Sequence, residues 1–162
     1  MKKIILSIVF FNLVTFFPSF SHIGHYKEFN ILEYELFRNN KSIGYHKYDF
    51  NRKDDFLKVK SVVEFKITKL GVDLYKYFAE SDENYKNDKF FSFNSKTTQN
   101  KKKKYVNISN INEEKLKIDG SSFKGETSNK HIVGTWWNHE IVKAEAQISA
   151  ISGRIIEQKV TF

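Results

Sequence analysis

Phe56-Leu57-Lys58-Val59-Lys60-Ser61-Val62-Val63-Glu64-Phe65-Lys66-Ile67 divides into two faces when read at a period of two. Leu57, Val59, Ser61, Val63, Phe65 and Ile67 fall on one side. Lys58, Lys60, Glu64 and Lys66 fall on the other. A helix would scatter these residues around its circumference, whereas successive side chains of a strand point to opposite faces. The stretch is therefore a half-buried strand, and the reading extends outward from it in both directions. Downstream, Gly71 permits a turn and residues 72–81 form the next strand. Here both faces are partly apolar, with Val72, Leu74 and Phe78 opposite Tyr75, Tyr77 and Ala79, which predicts cover on both sides.

The same alternation recurs over residues 31–38, 42–51, 90–98, 105–111 and 115–119, and residues 121–127 add a shorter strand. Asn39-Asn40, the charged run 52–55, Asn87-Asp88, Asn100 with the lysines after it, and residues 112–114 supply turns. No amphipathic helix of three turns interrupts this series. The class is all-β: a single curved antiparallel meander sheet or open barrel, since a long sheet must curl to hide its edges. Towards the C-terminus residues 128–135 read as loop. Trp136-Trp137-Asn138 then opens the one helical candidate, a short C-terminal helix over 139–150. Residues 154–162 form a last strand with Ile156, Val160 and Phe162 on one face.

The N-terminus has a different character. Lys2 and Lys3 precede an apolar run from Ile4 to Phe17, Pro18 ends it, and Ser19-Phe20-Ser21 places small residues ahead of a cut before His22. That is the layout of a secretory signal peptide over residues 1–21. The run is shorter than the roughly 20 residues of a membrane-spanning helix, so a cleaved leader and no stable membrane anchor are expected. The expected location is periplasmic or secreted, with residues 22–162 forming a single β-rich domain.

The 162-residue chain contains no cysteine. The domain must hold together by burial and sheet hydrogen bonds, and no acylated cysteine follows the leader. The formal charge is +8, and every basic residue except Arg38, Arg52 and Arg154 is lysine. Arginine is the preferred reader of nucleic acid, and exported proteins seldom meet it, so no nucleic-acid partner is expected. Lys101 to Lys104 reads as a solvated hairpin tip, with weak attraction to anionic lipid as the alternative.

Several landmarks recur in order. They are Ser42-Ile43-Gly44-Tyr45-His46, Val63-Glu64-Phe65-Lys66-Ile67, Leu74-Tyr75-Lys76-Tyr77 with Glu83 downstream, the 95–100 segment, Trp137-Asn138, and Ser152-Gly153-Arg154. From about Ile31 to the end, this series resembles an exported bacterial family known as domain of unknown function 6134. The resemblance implies an all-β exported domain, similar to the open barrels that carry lipids or lipoproteins across the periplasm, with no established activity to carry over. The family places proline after the tryptophan-asparagine pair, where this chain has His139. Its members also continue with further strands, so this chain is expected to be a shortened member or an incomplete sequence, with its last strands lacking.

Catalytic and metal motifs are absent from the sequence. No serine sits between glycines in a nucleophile elbow, and the seven glycines form no phosphate cradle. His139-Glu140 begins like a zinc-protease helix, but position 143 is lysine. A cut before His22 would pair its amine with its imidazole as a copper chelate, yet spacing pins no second ligand. The expectation is neither enzyme nor cofactor nor metal. Aromatic residues are the remaining lead. Tyr34, His46, Tyr48, Tyr75, Tyr77, Trp136 and Trp137 are the candidate ligand-binding residues. A concave sheet face would form an apolar pocket, tyrosine hydroxyls would orient a polar end, and the tryptophans with the short helix would act as a lid. Gly44, on the face of His46, Tyr48 and Phe50, marks a bulge or a close approach by another segment. The leading functional expectation is a non-catalytic envelope protein that binds or carries a lipid or other apolar ligand. The alternative is a structural or assembly factor that meets an envelope protein partner through its sheet edges.

Overall fold

A computed structural model describes residues 26–158. The leader, His22, His25, Val160 and Phe162 lie outside the described residues. Eight strands follow one another as an antiparallel meander: β1 (Ile31–Arg38), β2 (Lys41–Lys53), β3 (Phe56–Lys69), β4 (Val72–Lys86), β5 (Lys89–Gln99), β6 (Lys102–Asn110), β7 (Lys115–Gly120) and β8 (Lys124–Ser128). Neighbours in sequence are neighbours in the sheet, and β1 and β8 remain its two edges, so the sheet curves without closing. The tight turns are built where the sequence supplies residues that tolerate positive φ: Asn39, Asn40, Asp54, Asn87, Asp88 and Asn100.

The register places Phe50, Val59, Glu83 and Phe93 in one row across β2 to β5, and Tyr48, Ser61, Ser81 and Ser95 in the next. These belong to the inner face. A second layer covers part of it. It contains β9 (Ile132–Val133), a single 3-10 turn at His139–Val142, β10 (Ala146–Ile148) and β11 (Ile155–Glu157), with β10 parallel to β9 and antiparallel to β11. Two apolar clusters join the layers. Phe93, Val106, Ile108, Leu116 and Ile118 enclose Val133 and Ile148, and Tyr48, Phe50, Leu57, Val59 and Tyr85 enclose Trp137.

Three expectations need correction. The helix is only the His139–Val142 turn, capped by the Asn138 side chain accepting from the Glu140 amide. Beyond it Ala144, Ala146 and Ile148 are buried, a spacing of two that makes this stretch extended rather than helical. Strand β4 does not stop at Ser81 but continues to Lys86, carrying Glu83 and Tyr85 into the core. Its outer face is not covered either: Val72, Leu74 and Phe78 are exposed. Gly44 is a close approach, as its position predicts. A Cβ there would lie 2.0 Å from the Glu64 carbonyl oxygen and 2.5 Å from the Phe65 Cα, so only glycine lets β2 pass β3.

Candidate functional site

The second layer covers one half of the inner face tightly and leaves the other half as a cleft of about 350 Å³. Its floor consists of inner-face residues of β2 to β5, chiefly His46, Ser61, Val63, Phe65, Tyr77 and Ala79. Its far wall comes from Gly134, Trp136, Gln147, Ala150, Ile151 and Ile156. Strand alternation alone explains why the floor residues meet, because His46 pairs with Val63, Val63 with Ala79, and Phe65 with Tyr77. Ser95 fastens the wall to the floor by donating to the Ala150 carbonyl at 2.5 Å.

A short polar chain runs along the floor. The Trp136 amide reaches the Tyr48 phenol. The phenol lies 3.4 Å from His46 Nδ1, and His46 Nε2 lies 2.9 Å from Ser61 Oγ. Burial pushes the Tyr48 phenol upward, so it stays protonated near pH 7 and can share a hydrogen bond with Nδ1. The neutral imidazole holds one proton, on Nδ1 or Nε2, and shares hydrogen bonds with Tyr48 and Ser61 accordingly. Burial also lowers the His46 pKa to about 4, which keeps the ring neutral near pH 7. Among the described residues no lysine or arginine lines the cleft, and no cluster of three His, Asp or Glu side chains has metal-binding geometry.

The candidate residues separate. His46, Tyr48, Tyr77 and Trp136 line the cleft. Tyr34 stands outside it, 51 % exposed, with its ring edge-on to Tyr48 at 6.3 Å. Tyr75 lies further along β4 against Phe65, 5.8 Å between ring centres. The two tryptophans do not act together as a lid: Trp136 is 76 % exposed at the rim, and Trp137 is 2 % exposed inside the closed half. There Trp137 meets Phe50 and Tyr85 edge-on at 5.5 and 5.8 Å.

A buried carboxylate, Glu83, organises that closed half; sequence reasoning marks it as a landmark but misses this buried role. Its Oε2 accepts from Thr135 Oγ1 and Trp137 Nε1, each at 2.8 Å, and its Oε1 accepts from the Tyr85 hydroxyl at 2.5 Å. Desolvation raises its pKa, against the three donors that favour the charged form. The signal was in the sequence, since Tyr75, Tyr77, Ala79, Ser81, Glu83 and Tyr85 continue one period-two series.

No curated protein and no solved structure matches the chain. A family model described as "Domain of unknown function (DUF6134)" matches residues 34–162, which include every strand after β1 and both halves of the inner face. The chain therefore belongs to the DUF6134 family.

Proposed function

We propose that this protein is a non-catalytic envelope protein that binds or carries an apolar ligand with a polar end, most simply a lipid. The observation that carries the reading is the cleft of about 350 Å³, a volume in the range of small-molecule sites. Val63, Phe65, Ala79, Ile151 and Ile156 supply apolar wall. The neutral Tyr48–His46–Ser61 chain supplies hydrogen-bonding groups on the floor. With no lysine or arginine in the lining, the polar end that fits is a hydroxyl, ester or amide rather than a bare phosphate. Export by the leader would place the protein where such ligands must cross water between membranes.

Native mass spectrometry of protein gently extracted from its compartment tests the reading. Extra mass corresponding to lipid, lost on delipidation, is the expected result. A bare mass after gentle extraction would overturn it. A second reading, an assembly factor, has one observation in its favour. Among the described residues edge strand β1 pairs only with β2 and exposes Ile31 and Phe37, so its other side can accept a strand from a partner. Under that reading the same spectra would show a bound protein in place of a lipid.

A further inference from the structure

One hairpin turn breaks the rule that the others follow. Asn39-Asn40, Asp54, Asn87-Asp88 and Asn100 fill the positive-φ positions of their turns with the residues that tolerate them. Between β3 and β4 the position is taken by Leu70, at φ 51°, followed by Gly71 at φ 76°. A leucine pays a steric cost in this conformation, and it gains no burial in return, because Leu70 is 94 % exposed. Val72 and Leu74 behind it are also exposed.

The turn also lacks paired neighbours. β2 pairs with β3 only as far as Phe65, and β5 pairs with β4 only from Tyr77, so nearer the tip β3 and β4 pair in the sheet only with each other. At its base the β5–β6 turn is fastened by two bonds, Asn100 N to Lys76 O and Lys76 N to Asn100 Oδ1, each 2.8 Å. That fastening sets Lys101, Lys102 and Lys103 beside the hairpin, with Lys69 on it and Arg38 and Lys41 at the adjacent β1–β2 turn. The acid of the hairpin, Asp73, is occupied by Lys76 at 2.8 Å and by Thr68. The turns at the opposite end of the sheet instead carry Asp54, Asp55, Asp88, Glu113 and Glu114 among their lysines.

We propose that the β3–β4 tip is a membrane-docking wedge. Leu70, followed by Val72 and Leu74, enters the headgroup boundary of an anionic bilayer, while the surrounding lysines contact lipid phosphates. An apolar tip inside a basic collar at one end of the molecule is complementary to such a surface, and the sibling turns show that the fold itself does not require leucine there. The proposal goes beyond the cleft reading and does not depend on what the cleft holds.

The test expresses the full chain, purifies it as the cell processes it, and measures flotation with vesicles of phosphatidylglycerol and phosphatidylcholine against phosphatidylcholine alone. The wild type is expected to float with the anionic vesicles, less so at high salt. Leu70→Asn should weaken binding about tenfold while raising the thermal midpoint, because asparagine suits the turn. Lys101→Glu with Lys103→Glu should cost about fivefold per charge. Equal binding by Leu70→Asn, equal binding to uncharged vesicles, or no binding by the wild type would each overturn the proposal. A lowered midpoint in Leu70→Asn would do so too, since Leu70 would then be serving the fold.

Discussion

The inner face of β2 to β5 has two halves built from the same strands with the same alternation, and only one of them is closed. Towards the Asp54 and Asn87 turns, Phe50, Val59, Tyr85 and Phe93 are buried beneath the second layer. Towards the Leu70 turn, His46, Val63, Phe65, Tyr77 and Ala79 line a cleft. The difference lies in what residues 132–158 present to each half. Trp137 fills the first, its indole proton held by Glu83, whereas Gly134, Gln147, Ala150, Ile151 and Ile156 border the second without filling it. Alternation decides which side of a strand is inside. Whether a facing side chain reaches into that inside, as Trp137 does, decides whether it becomes core or cleft.

Removing the plug should produce the largest effect. Trp137→Ala is expected to cost about 3–5 kcal/mol in urea denaturation, because it opens a cavity and strips a donor from a buried carboxylate. Trp136→Ala, at the exposed rim, should stay within about 0.5 kcal/mol. Similar costs for the two would dissolve the distinction between the halves.

Glu83→Gln tests the same hub more gently, at a cost of about 1–3 kcal/mol for mismatched hydrogen bonds. Its pH dependence has a defined sign. Desolvation raises the folded pKa above the ordinary value of 4.5, so the folded state holds the proton longer than the unfolded chain. That contribution is complete below 4.5 and is lost as pH rises through the raised value. The variant should lack this decline in a series of denaturation curves across pH.

His46, in the open half, gives the opposite slope. Burial depresses it from 6.5 to about 4, so its contribution is present above 6.5 and is lost as pH falls through about 4. The ring is only partly buried, and the discounted size is about 1–2 kcal/mol. His46→Gln should flatten the acid limb over that window; an unchanged limb would mean that the ring is solvated.

A small stability effect is also expected of Ala79→Trp, which fills the cleft rather than the core. Its unfolding free energy should move by less than about 1 kcal/mol, while co-purifying ligand disappears from the native mass spectrum. Retained ligand would place the binding site elsewhere.

Much of this architecture was legible in the sequence. The β3 stretch shows its two faces directly, and Asn39-Asn40, Asn87-Asp88 and Asn100 mark turns that the backbone makes at positive φ. Gly44 announced the close crossing of β2 and β3. What escaped was local chemistry that depends on the second layer. The polar run from Glu80 to Glu83 hides the continuing alternation of β4, because a carboxylate reads as surface until Thr135 and Trp137 are brought to it from more than fifty residues away. Trp136 and Trp137 are adjacent in sequence and were grouped for that reason, yet the turn they share, with Asn138 N donating to the Thr135 carbonyl at 3.4 Å, leaves one ring exposed and the other buried. The cleft was legible only as an aromatic group. Its four contributing members, His46, Tyr48, Tyr77 and Trp136, were separable from Tyr34, Tyr75 and Trp137 only once the covering segment was placed.

Methyl and aromatic resonances followed during titration with a short-chain phospholipid give the most direct test of an open half that takes an apolar ligand beside a closed half that does not. The account predicts shifts confined to Val63, Ala79, Ile151 and Ile156 and the rings of Phe65 and Tyr77, with Val59, Ile108, Ile118 and the Trp137 indole unmoved. Shifts centred on the closed half or on edge strand β1, or none at all, would contradict it.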